Sequence, residues 1–93
     1  MGYVFEWDAE KAEANRGKHR VSFDEASTVF SDPFALFMPD PDHSVEEQRY
    51  LLLGLSNRRR LLVVAHAERP PRTRLISARP ATRKERRLYE EGK

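Results

Sequence analysis

Two aliphatic runs constrain the fold more than any other feature of this chain. Leu51 to Leu53 and Leu61 to Ala65 sit inside longer segments, Gln48 to Leu55 and Arg60 to Ala67, joined by Ser56-Asn57-Arg58-Arg59. That short polar link suits a hairpin turn, so the two segments are expected to pair as antiparallel strands. A strand with one solvated face alternates apolar and polar residues, because successive side chains point to opposite sides. These runs do not alternate. They predict central strands covered on both faces, and the rest of the chain must supply the cover.

The flanking segments read as that cover. Tyr3 to Trp7 alternates and suits a short strand. Asp8 is a good N-cap for a helix over Ala9 to Arg16, which Gly17 can close. Lys18-His19-Arg20-Val21 is then a tight link into a second helix. Ser22-Phe23-Asp24-Glu25 fits a capping box, with Val21 and Ala26 placed as its hydrophobic staple. Phe23, Ala26, Val29 and Phe30 form an apolar stripe that Ser31-Asp32-Pro33 ends. Phe34 to Met38 is a short strand stopped by Pro39-Asp40-Pro41-Asp42. Beyond the central pair, Arg69-Pro70-Pro71-Arg72 reads as a loop before a last strand, Thr73 to Arg79. Thr82-Arg83-Lys84-Glu85 is a second capping box, opening a helix from Arg83 to about Glu91. The expected class is α+β: a small antiparallel sheet with two N-terminal helices and a C-terminal helix. With 93 residues there is material for one hydrophobic core, so residues 1–93 are expected to form one domain.

Charge is sorted along the chain. Met1 to Ser56 carries 5 Lys/Arg against 11 Asp/Glu, whereas Asn57 to Lys93 carries 12 against 4. Of the 17 basic residues 13 are Arg, whose planar fork fits a phosphate bidentately where Lys acts as a point charge. The basic half ends in RLISARPATRKERRLYE, with arginines threaded through an apolar strand and onto a helix. That arrangement reads as an RNA-facing surface. Cysteine is absent, which excludes disulfides, thiolate catalysis and thiolate zinc sites. No stretch approaches 18 apolar residues and the first residues lack a signal pattern, so a cytoplasmic protein with no membrane partner is expected. His19, His43 and His66 are too scattered for a helical metal site, and no glycine-rich phosphate loop is present. Neither a metal nor a cofactor is expected.

The candidate functional residues are therefore mostly arginines. Strict alternation on the last strand puts Leu75, Ser77 and Arg79 on one face and Arg74, Ile76 and Ala78 on the other. Arg79 ends the strand beside the helix that Thr82 opens. Arg83, Arg86 and Arg87 share one side of that helix and could converge with Arg79 on a phosphate. The plainer reading is a solvated helix whose charges pair with Glu85 and Glu90. His19, between Lys18 and Arg20, has its protonated form disfavoured and could act as a base, or could instead satisfy backbone groups in the link. His66 alternates with Val64 and reads as a hydrogen-bonded sheet residue. Arg49, following Glu46-Glu47, suits either a phosphate or a salt bridge.

FEWDAEKAEANRGKHRVSFDEASTVFSDP and RLISARPATRKERRLYE together resemble the BrnT toxin family of bacterial type II toxin–antitoxin pairs. Between them, Glu47 to Gly54, the Arg60-to-Val64 strand and Glu68-Arg69 follow the family's order. Arg20 departs from the pattern, which usually has Gly after Lys-His. The resemblance implies a RelE-like fold, metal-independent RNA cleavage that blocks translation, and neutralisation by a BrnA antitoxin. The complex is expected to contain an antitoxin dimer, with operator DNA contacted only through the antitoxin. It also implies that His19, Arg49, Arg79, Arg83 and Tyr89 carry the chemistry, while Lys18, Arg74, Arg86 and Arg87 are expected to contact RNA. Lys18, His19 and Glu68 are the groups that could move protons. Two other readings remain open: a nucleic-acid-binding module without chemistry, and a RelE-fold toxin acting on a protein target.

Overall fold

A computed structural model describes residues 2–40 and 48–92. His43, the Glu46-Glu47 pair and the second half of the Pro39-Asp40-Pro41-Asp42 stop lie outside the described residues. The two aliphatic runs form the antiparallel pair β3 (Arg49–Leu55) and β4 (Leu61–Arg69), with Leu52 opposite Val64 and Leu53 opposite Val63. Their link closes by Arg59 N–H donating to the Ser56 carbonyl at 2.9 Å. β2 (Leu36–Pro39) flanks β3, and β5 (Arg72–Pro80) flanks β4. β1 (Phe5–Glu6) lies against the outer side of β5, giving the order β1-β5-β4-β3-β2.

β1 runs parallel to β5, so the sheet is mixed rather than purely antiparallel as expected. A two-residue edge strand has no directional signal in its sequence. Its orientation is set by where the following helix must pack.

Both faces are covered, as the runs require. On one side, α1 (Ala9–His19), α2 (Phe23–Thr28) and the 3-10 turn Val29–Ser31 sit over the sheet. Val21, Phe23, Ala26 and Val29 there meet Leu52, Leu62, Val64, Leu75 and Ala78. On the other side, Tyr89 of α3 (Arg83–Glu91) meets Leu53, Leu61 and Val63. Burying side chains of this size contributes roughly 1.5 to 3 kcal/mol each, which is why both layers hold.

Several local expectations are corrected. α1 does not stop at Gly17 but runs to His19, and Arg20 closes it in the left-handed region with φ 59°. The reason is tertiary. Asn15 is buried and its amide donates to the carbonyls of Val21 and Ala78, both at 2.9 Å, while its oxygen accepts from the Ala78 N–H at 3.0 Å. These three bonds fix α1 against β5, and the chain must then reverse at Arg20 to reach Val21. A backbone position with positive φ is the one glycine fills at least cost, and Arg20 stands there.

The Ser22 cap forms, accepting from Glu25 N–H at 3.0 Å. Glu25 is used otherwise than a capping box would use it. Its carboxylate is buried, accepting from Ser56 Oγ at 2.7 Å and Arg60 Nε at 2.9 Å, so it ties α2 to the β3–β4 turn. The second capping box is complete: Thr82 accepts from Glu85 N–H, and Glu85 accepts from Thr82 N–H. β2 starts at Leu36 rather than Phe34. β4 and β5 each reach further than expected, until only Pro70 and Pro71 separate them.

The last correction matters most for function. The β4–β5 register shifts between Ala65 and His66: Ala65 faces Ser77, but His66 faces Leu75. One extra residue on β5 breaks the alternation, as a bulge does. Leu75 and Ala78 consequently enter the same core, although strict alternation would place them on opposite faces.

Candidate nucleic-acid interface

Cross-strand partners in a ladder share a face, so register assigns every side chain to one side of the sheet. On the α3 side, Leu53 and Val63 pair in a row with Arg79. The next row is Leu51, Ala65 and Ser77, and the one after is Arg49, Ala67 and Arg74. Arg69 and Arg72 pair with each other one row further, and Glu6 lies beside Arg74. Five arginines thus occupy one sheet face around a floor of Ala65, Ala67 and Ser77. Small floor residues leave the guanidinium groups standing above the surface, which suits a chain of phosphates laid across it.

Fixed partners shape this face. Glu6 sits among the arginines, 3.4 Å from Arg74 and 3.9 Å from both Arg69 and Arg72. At the other end Arg79 donates two parallel hydrogen bonds to Glu85, at 2.8 and 2.9 Å. The Arg79 guanidinium is the main cause that holds the Glu85 carboxyl down to about 2, with the Thr82 N–H adding to it against the opposing effect of burial. A bidentate pair presents Arg79 in one orientation. Its remaining exposure, 37% of the side chain, leaves part of the fork open to solvent.

The structure puts Arg49 and Arg74 in one row, on either side of Ala67, with Arg79 on the same face two rows further along, beside the start of α3. Arg83, Arg86 and Arg87 are exposed on that helix. Lys18 and His19 fall in the last turn of α1, which Asn15 ties to the backbone edge of β5 at Ala78. His19 is therefore part of a helix end, not of a linker. Glu68 pairs with Thr73 and faces away from the arginines.

Tyr89 has a different employment from the catalytic one expected. It is 5% exposed and its hydroxyl donates to Asp32 Oδ2 at 2.7 Å, while that oxygen also accepts from Leu55 N–H at 2.8 Å. Burial and the Asp32 carboxylate push its hydroxyl up to about 12, so it holds its proton at neutral pH. Tyr89 fastens α3 to the turn before β2.

His66 also departs from expectation. Its ring is fully buried, and among the described residues Nε2 has no hydrogen-bond partner. Sequence reasoning did not place Glu6, Arg69 and Arg72 on this face. The alternation of Tyr3 to Trp7 gave Glu6 a face, but nothing local said that the face would be shared with arginines some 60 positions later. Among the described residues no group of three or more His, Asp or Glu is placed to hold a metal.

Comparison with known proteins bears on what such a face does. The family model described as the ribonuclease toxin BrnT of type II toxin–antitoxin systems matches residues 7–85. The chain belongs to the BrnT family. The matched span contains Arg49, Arg69, Arg72, Arg74, Arg79, Arg83 and Glu85, and stops before Arg86 and Tyr89. The 1.1 Å crystal structure of the Brucella abortus ribonuclease toxin BrnT is similar in fold, with a TM-score of 0.66. The two share 21% identity, over 89% of this chain and 100% of that one. No curated protein sequence matches. As a BrnT-family ribonuclease toxin, the chain has RNA as its target and an antitoxin as its partner. Among the described residues no helix is long and apolar enough to cross a membrane.

Proposed function

We propose that this BrnT toxin cleaves RNA without a metal ion, on the arginine-bearing face of the sheet. The observation that carries this reading is the placement of Arg49, Arg69, Arg72, Arg74 and Arg79 along one face of the sheet, over a floor of small residues. In the proposed reaction the 2′-oxygen of one nucleotide attacks the adjacent phosphorus and the bond to the 5′-oxygen breaks. The products are a 2′,3′-cyclic phosphate and a 5′-hydroxyl; the proton lost by the first oxygen is balanced by one gained by the second.

Such a reaction needs alignment, stabilisation of charge on the phosphorane, and proton transfer. Arg79, oriented by Glu85, and Arg49 across the sheet are assigned to charge stabilisation. Arg74 holds the backbone, and Arg83, Arg86 and Arg87 extend the track along α3. Glu6 is the carboxylate that register puts on the arginine face, and we assign it the proton taken from the 2′-hydroxyl. Lys18 and His19 are left with a binding role at most, and Tyr89 with a structural one.

Residues 1–93 act as one toxin domain of RelE-like type, in the cytoplasm, and block translation by cutting RNA. The neutralising partner is a BrnA-like antitoxin, present as a dimer in the complex, which carries contact with operator DNA. Acidic side chains from it would cover the arginine face, since complementary charge both blocks RNA and offsets repulsion within the cluster.

Purified toxin incubated with RNA in excess EDTA is expected to cut it and leave cyclic phosphate ends. Strict magnesium dependence with 5′-phosphate products would overturn the chemistry. Glu6→Gln should lower the cleavage rate by about 10²- to 10⁴-fold with little change in melting.

A further inference from the structure

The opposite face of the sheet holds a feature that the arginine site does not use. At the end where β3 begins and β4 finishes, Tyr3, Phe37, Tyr50, His66 and Glu68 line a cleft of about 250 Å³. That is below the range of sites for drug-sized ligands, and suits one ring system. The His66 ring centroid lies 5.8 Å from that of Phe37 and 5.9 Å from that of Tyr50, with Phe30 behind it at 4.9 Å. Tyr50 is held by its hydroxyl donating to Gln48 Oε1 at 2.9 Å. Phe37 and Tyr3 are 59% and 48% exposed, unusually open for aromatic rings.

His66 forms the floor of this cleft, and Glu68 supplies its exposed charge. Nδ1 lies 3.4 Å from the Val64 carbonyl, a contact that is a hydrogen bond in the tautomer with the proton on Nδ1. Burial lowers the ring's tendency to take a second proton. Nε2 is fully buried and has no hydrogen-bond partner among the described residues. The Glu68 carboxylate is 3.8 Å from it, and 43% of its side chain is exposed. The cleft therefore offers the paired oxygens of the Glu68 carboxylate beside aromatic faces, and suits a flat ligand carrying adjacent donors.

We propose that this cleft binds a single unstacked nucleobase of the RNA, guanine by preference, and so sets where the toxin cuts. Guanine's Watson–Crick edge presents a ring N–H and an amino group side by side, which matches the two oxygens of the Glu68 carboxylate at the cleft wall. Adenine presents one donor beside an acceptor, and uracil one donor between two acceptors, so each sets an acceptor against this pair. Single-stranded RNA is commonly read by splaying a base onto aromatic rings and bonding its edge. The same end of the sheet carries Arg49, Arg69 and Arg72 on its other face, so the phosphates of the same strand have cations within reach. Those arginines also argue against a lysine or arginine side chain as the occupant. The proposal rests on the ribonuclease reading, since it assigns that enzyme's preference.

The test uses four 2′-O-methyl trinucleotides, UGU, UAU, UCU and UUU, which lack the attacking hydroxyl, with calorimetry for affinity and the His66 imidazole resonances for location. UGU should bind about tenfold or more tighter than the other three and move the His66 signals. Glu68→Gln should remove that advantage while melting as the wild type does; Tyr50→Leu should weaken all four. Equal binding of the four, or an unchanged advantage in Glu68→Gln, overturns the proposal. So does N-acetyl-arginine amide moving the His66 signals where UGU does not. Cleavage of long RNA is measured on the same preparation. Cutting with no base preference defeats the pocket and leaves the ribonuclease standing; guanine-selective binding without cutting upholds the pocket and defeats the ribonuclease.

Discussion

Replacing Glu85 by Gln tests the joint between the arginine face and the helix behind it. Glu85 does two things: it accepts both Arg79 bonds and it returns to the Thr82 N–H as the third residue of the cap. Its carboxyl is displaced from an ordinary 4.5 to about 2. A displacement of that size corresponds to at most about 3 kcal/mol favouring the charged form. The side chains of Glu85 and Arg79 are 21% and 37% exposed, so solvent screens the pair and the realised figure should be about 1 to 2 kcal/mol. A folded pKa below the unfolded one stabilises above the unfolded value. That contribution is therefore present in full above pH 4.5 and is lost as pH falls towards 2. Glu85→Gln should melt about 5 to 10 °C below wild type at pH 7. The gap should close as pH falls from 4.5 to 2. Thr82→Ala, which removes one half of the cap, should cost about 1 kcal/mol with no comparable pH dependence. If Glu85→Gln melts with wild type at pH 7, or if the gap is unchanged at pH 2.5, the Arg79–Glu85 pair does not contribute as argued.

Other parts of the fold give equally definite expectations. Arg60→Ala strands the buried Glu25 carboxylate, with Ser56 its remaining side-chain donor among the described residues, and should cost roughly 3 kcal/mol in urea denaturation; a loss under 1 kcal/mol would contradict the buried-pair argument. Gly54→Ala would put a methyl 2.8 Å from Val29 Cγ1 and 2.9 Å from Ala35 Cβ, so about 1 to 3 kcal/mol should be lost, and an unchanged melt would refute that close approach. Arg20→Gly relieves a positive φ and should stabilise by up to about 1 kcal/mol, read as a rise of a few degrees in Tm, whereas a fall would show that the Arg20 side chain contributes more than the strain costs.

The sequence was most readable where physics is local. Caps at Asp8, Ser22 and Thr82 fell where their side chains said, because a cap needs only the next three residues. The unbroken aliphatic runs gave central strands and the need for cover on both faces, because burial follows from composition alone. The excess of Arg in the second half gave the class of ligand, and the motifs at both ends gave the family that the match over residues 7–85 bears out.

What the sequence left open depended on pieces far apart in the chain. Gly17 looked like a helix end, but the bonds from Asn15 to Val21 and Ala78 carried α1 on to Arg20. Alternation on β5 looked regular, but one extra residue opposite Ala65 and His66 let Leu75 and Ala78 enter the same core. Glu25 read as a cap residue and became the buried anchor of Arg60; Tyr89 read as a catalytic group and became a tether to Asp32. His66 read as satisfied, but among the described residues its buried Nε2 has no hydrogen-bond partner, beneath a cleft. Propensity, capping and burial are properties of neighbours along the chain, and the sequence determines them directly. Register, face and the partner of a buried polar group are properties of neighbours in space, and only the assembled sheet decides them.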